Sequence, residues 1–78
     1  MSVPDSELTT LLLDSIRSVF KGIATLPTSP DVRALAKRAL ECERGVKGWE
    51  LNPPTRKERA EMLKMVLRLH WVLGTLQK

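Results

Sequence analysis

The fold turns on residues 55–77, TRKERAEMLKMVLRLHWVLGTLQ. The stretch opens on Thr55-Arg56-Lys57-Glu58, the capping-box pattern in which threonine and glutamate satisfy each other's free amides at a helix start. Past this first turn the polar positions are Lys57, Glu61, Lys64, Arg68 and Thr75. At about 100° per residue they fall on a strip only about 60° wide. One side of that strip leads into Met62, Met65, Val66, Leu69, Val72, Leu73 and Leu76, an ordinary core stripe. Beyond it lies a second run, Ala60, Leu63, Leu67, His70, Trp71 and Gly74. A surface helix needs one apolar stripe a little over about 100° wide, whereas this one is apolar over roughly two-thirds of its circumference. Either it is the central helix of the fold, or its second stripe is covered by another chain.

Upstream, Ser29-Pro30-Asp31 is a second helix start: a capping serine, a proline at the first helical position, then an acid near the positive end of the helix dipole. This helix is expected over about 30–44, with Val32, Leu35, Ala36, Ala39, Leu40 and Cys42 facing inward and Gly45 as its stop. Glu43 falls on the same face, which predicts that the helix has left the core by then. A first helix is expected over about 5–21, started by Ser2, Pro4 and Asp5 and ended by Gly22. Its inner face is Leu8, Leu11, Leu12, Ile16, Val19, Phe20 and Ile23 at three- and four-residue spacing. Between the second and third helices, Val46, Trp49 and Leu51 precede Asn52-Pro53-Pro54, where two prolines forbid regular helix. A connection with that apolar content is expected to fold back on the bundle. No strand pattern, repeat or low-complexity tract is present. The expected fold is one all-α domain: a compact three-helix bundle with a long apolar C-terminal helix, over 56–76, packed against both others.

Seventy-eight residues lie near the lower end of what one core stabilises alone, so a homodimer is open to this chain. The net charge is +4, unevenly placed. Residues 1–30 carry Asp5, Glu7 and Asp14 against Arg17 and Lys21, while residues 31–78 carry eleven basic and six acidic side chains. The bias permits an acidic partner or nucleic acid without demanding either. The acids Asp5 and Glu7 precede the Leu11–Leu13 run, which argues against a signal peptide, and no apolar stretch is long enough to span a bilayer. A cytoplasmic protein without membrane contact is the expectation.

The residues offer little chemistry. One histidine and one cysteine do not furnish a structural zinc site within one chain. Cys42 and His70 lie on different helices, and nothing in the spacing joins them as nucleophile and base. The four glycines are scattered, so no phosphate-cradling loop exists. Glu41, Glu43, Glu58 and Glu61 read as solvated helix-face charges and a cap. No cofactor, metal or catalytic residue is expected. Cys42 reads as a small buried hydrophobe, with an intermolecular disulfide as the alternative.

Two surfaces remain. The first is the stripe Leu63, Leu67, His70, Trp71 and Gly74. Tryptophan is enriched among binding hot spots because it covers a large area and keeps a polar N–H. The stripe reads either as core or as a partner-binding face. The second is basic: Arg33, Lys37 and Arg38 on the second helix, with Arg56, Lys57 and Arg59 at the start of the third. These could meet DNA or RNA phosphates. Both interhelical connections are too long for a helix-turn-helix, however, and no aromatics interleave with the basic residues.

In its short capped first helix, its basic second helix and the long apolar helix Thr55–Leu76 with Leu63, Leu67 and Trp71, the chain resembles a known group. These are the small all-helical antiactivators of quorum-sensing and conjugative-transfer regulators in rhizobia and their relatives, the TraM-like and QseM-like proteins. The resemblance extends over the whole chain at the level of architecture. It implies a non-catalytic protein that binds and sequesters a transcriptional activator through an apolar helix face. The alternative is a small DNA- or RNA-binding domain that uses the basic surface.

Overall fold

The computed structural model describes residues 5–78, with side chains from Glu7 onward. Helix α1 spans Asp5–Ala24, α2 spans Pro30–Lys47 and α3 spans Arg56–Leu76, with a single 3₁₀ turn at Gly48–Glu50. The fold is an all-α three-helix bundle. The start signals at Ser2 and Pro4 lie outside the described residues.

Both other helix starts follow the sequence. Ser29 holds an extended conformation, and its Oγ accepts from the Val32 amide at 3.2 Å. At α3 the Glu58 amide donates to Thr55 Oγ1, and the Thr55 amide donates to Glu58 Oε1, each at 3.1 Å. Each cap satisfies amides that the helix itself leaves without partners.

The expected ends are corrected. α1 continues past Lys21 to Ala24, and α2 continues past Arg44 to Lys47. Gly22 and Gly45 are interior helical residues, and no described glycine has positive φ. Their use is close approach rather than termination. A Cβ on Gly22 would stand 2.6 Å from Leu73 Cδ2, and one on Gly45 would stand 2.9 Å from Met62 Cε. Both glycines therefore let a helix lie tight against α3.

These contacts also fix the register. Ser15 meets His70 and Gly22 meets Leu73, so α1 and α3 run in the same direction. Gly45 meets Met62, while Asp31 shares a groove with Leu76, so α2 runs opposite to both. The chain goes up, down and up.

The core is Leu12, Ile16 and Val19 of α1, Leu35, Ala39, Cys42 and Val46 of α2, and Val66, Leu69 and Leu73 of α3. Val46, expected in a loop, is fully buried, because the extra turn of α2 keeps its inner face on the bundle. Glu43 stays beside that core, half-buried at its edge, and its carboxylate meets Lys47 Nζ at 3.6 Å. Three residues assigned to inner faces are exposed instead: Leu11, Leu40 and Met65. Each sits on the flank of its stripe, outside the buried seam. Trp49 packs against the core as expected, while Leu51 projects outward, 87% exposed.

Candidate protein-interaction surface

With α1 and α2 both in place, α3 presents three longitudinal faces. Val66, Leu69 and Leu73 form the buried seam. The second stripe is left largely exposed by the described residues: Leu63 is 46% exposed, Leu67 64% and Trp71 72%. These three residues recur every four positions and so form one ridge. In this chain the ridge is surface, not core.

His70 marks the border of that ridge. It is half-buried, and its Nε2 lies 2.6 Å from Ser15 Oγ on α1. This contact ties the two helices together along one edge. Gly74 lies further along the same border, and nothing within 4 Å would meet a Cβ placed there. Another backbone could approach closely at that point.

Leu11, expected on the inner face of α1, is exposed instead and extends the apolar surface. It is 61% exposed and lies one turn before Ser15. The Ser15–His70 contact therefore places it on the α1 border of the ridge. Its three- and four-residue spacing to Leu8 and Ser15 carries that signal only once Ser15 is known to face α3. The opposite border is cationic: Lys64 and Arg68 are exposed on the narrow polar strip. Large apolar side chains grouped on one exposed face, rimmed by polar residues, are the kind of surface that marks an interaction site.

The basic surface does not assemble as one patch. Antiparallel packing sets Arg33, Lys37 and Arg38 beside the C-terminal half of α3. Arg56, Lys57 and Arg59 stand at the other end of the bundle, near the close of α2. The two groups face different ends of the molecule.

On the far side of α3 from the ridge, α2 and α3 enclose an open groove of about 690 Å³. Cys42 lies in its floor, 1% exposed, and burial pushes its thiol above the ordinary value of 9.0, helped by the nearby Glu41 carboxylate. His70 is on the α1 side of α3, so the two residues are not brought together. Ser15 and His70 do form a hydroxyl–imidazole contact. Ser15 is the side-chain hydrogen-bond partner that the described residues give His70. Among the described residues, no three His, Cys, Asp or Glu side chains converge as metal ligands. No helix among them is long and apolar enough to cross a membrane.

Comparison with protein-family models, curated proteins and solved structures finds no match to the chain.

Proposed function

We propose that this chain is a non-catalytic protein-interaction regulator that binds a partner helix on the ridge Leu63–Leu67–Trp71. The carrying observation is the exposure of that ridge on a helix whose core seam, Val66, Leu69 and Leu73, is formed by other residues. Helix-in-groove docking suits it, because anchors at four-residue spacing match one face of an incoming helix. Trp71 is the central anchor, Gly74 allows close backbone approach, and the half-buried His70 supplies a polar contact at the rim. Lys64 and Arg68 flank the ridge and favour a partner helix with acidic residues on one edge. The resemblance to TraM-like and QseM-like antiactivators supports a transcriptional activator as that partner, held in an inactive complex in the cytoplasm.

Self-association on the ridge has less support, because an isologous pairing would also bring the Lys64–Arg68 edges of two copies near one another. The nucleic-acid reading has less support too, because its two basic groups stand at opposite ends of the bundle.

The test is affinity capture from the native host with wild-type protein and with Trp71→Ala, followed by direct binding to the captured regulator. A loss of roughly 2 kcal/mol or more, about thirty-fold in affinity, is expected for Trp71→Ala. Equal affinity per folded molecule would rule the ridge out as the docking face. Duplex DNA or RNA bound at physiological salt, with affinity falling steeply as salt rises, would favour the alternative.

A further inference from the structure

The α2–α3 groove is a second apolar surface, and the polar strip of α3 divides it from the ridge. Its floor is Leu35 and Cys42 from α2 with Met65, Leu69, Val72 and Leu76 from α3. Its volume of about 690 Å³ falls within the range of small-molecule sites. Met65 is exposed, and Val72 and Leu76 are partly so. The floor is therefore open to a ligand without any unpacking of the core.

Three cations rim this floor: Arg38 from α2, and Lys64 and Arg68 from α3. None of them forms an ion pair with a described residue. The register brings them to one level. Gly45 meets Met62, and the antiparallel register counted from that contact brings Arg38 level with Leu69, beside Arg68. Two guanidinium groups thus approach the same stretch of groove from opposite walls, with Lys64 one turn away. The acids Asp31 and Glu61 stand at its two ends. The middle of the groove is positive, the ends negative and the floor apolar.

Like charges over an apolar floor repel each other, and an anion between them relieves the repulsion. Guanidinium groups hold a planar carboxylate through paired hydrogen bonds. From the level of Arg68 to that of Leu76 the helix rises about 12 Å, the length of an unbranched chain of about ten carbons. We propose that the α2–α3 groove is a binding site for a small amphipathic anion, a medium-chain alkyl carboxylate. Its head lies between Arg38 and Arg68, and its tail over Val72 and Leu76. This site lies across the polar strip from the ridge and shares with it only the cationic border Lys64 and Arg68; its apolar floor does not rest on the ridge binding a partner.

The experiment titrates the full chain with sodium decanoate below its micelle concentration and follows backbone amide NMR shifts. Saturable shifts confined to the neighbourhood of Leu35, Met65, Val72 and Leu76 are expected. Decanol and decyltrimethylammonium should bind roughly ten-fold more weakly or worse, since neither offers the cations an anion. Arg38→Gln and Arg68→Gln should each weaken decanoate about five-fold or more. Their thermal unfolding temperature should not fall, because both side chains are exposed and each substitution removes one of the mutually repelling charges. Decanol binding as tightly as decanoate would overturn the proposal, as would shifts that gather on Leu63, Leu67 and Trp71 or never saturate. An acidic amphipathic peptide that displaces decanoate and binds the groove far more tightly would also overturn it, making the groove a protein-docking surface.

Discussion

Gly22 and Leu73 are in contact so close that a single methyl group on the glycine would stand 2.6 Å from Leu73 Cδ2 and 3.1 Å from Cδ1. Leu73 is 7% exposed and belongs to the core, so it has little freedom to move aside. Gly45 meets only the terminal methyl of Met62, at 2.9 Å from a built Cβ. That methyl ends a flexible, half-buried side chain and can swing away. The two helical glycines should therefore respond in opposite directions to the same substitution. Alanine gains about 0.5–1 kcal/mol over glycine inside a helix. At Gly45 that gain should appear as added stability. At Gly22 overpacking of about 1–3 kcal/mol should outweigh it. Urea unfolding of Gly22→Ala and Gly45→Ala measures both, and stabilisation at Gly22 would mean that α1 and α3 are further apart than described.

The helix starts carry a second expectation. Ser29 satisfies the Val32 amide, and Thr55 with Glu58 satisfies two amides reciprocally. Ser29→Ala and Thr55→Ala should each destabilise by roughly 0.5–2 kcal/mol in thermal or urea unfolding. Glu58→Ala should remove the return bond and cost part of the same amount. Full stability in the threonine variant would show that α3 does not depend on its capping box.

These capped starts were legible because they are local: four residues carry the whole signal. The helix ends were not. Glycine after a polar last turn is equally the mark of a stop and of a close approach, and only the partner helix decides which. Gly22 and Gly45 both read as stops, and both are contacts with α3. The ridge was legible as surplus apolar surface, because the periodicity of α3 leaves more of it than one seam can bury. Its exposure depends on where α1 lies, which the Ser15–His70 contact sets across 55 positions of sequence. The groove was not legible at all. It is built from Arg38 on one helix and Arg68 on another, and their nearness follows from the antiparallel register of α2 and α3.

Cys42 ties stability to pH. Burial is the main reason its thiol stays protonated in the folded chain to higher pH than usual, with Glu41 adding to the shift and Arg38 opposing it. As pH rises through the ordinary value of 9.0, the unfolded chain loses the thiol proton first. The unfolded state then binds fewer protons than the native state, so stability falls with rising pH in that window. Below it, the stability is fully present. Wild-type protein should lose stability between about pH 8 and 10 relative to Cys42→Ala, whose difference from wild type should be constant at lower pH. Native protein should also react far more slowly with a thiol-disulfide reagent than urea-unfolded protein. Equal rates would mean that Cys42 is not enclosed.

The sharpest check on the faces of α3 compares two large apolar residues two positions apart. Leu69 is 3% exposed in the core, and Trp71 is 72% exposed on the ridge. Residues two apart on a helix point to well-separated sides, so their environments are independent despite their nearness in sequence. Leu69→Ala removes buried methyl groups and leaves a cavity, which should cost about 2–5 kcal/mol. Trp71→Ala removes a larger side chain that packs on little of the protein. It should change stability by no more than about 1 kcal/mol, as surface substitutions do. The same urea series reads both, on isolated protein with no partner present. A loss at Trp71 comparable with that at Leu69 would show that the tryptophan is enclosed in solution, either by α1 or by a second copy. Sedimentation of the wild-type chain would then separate those two cases.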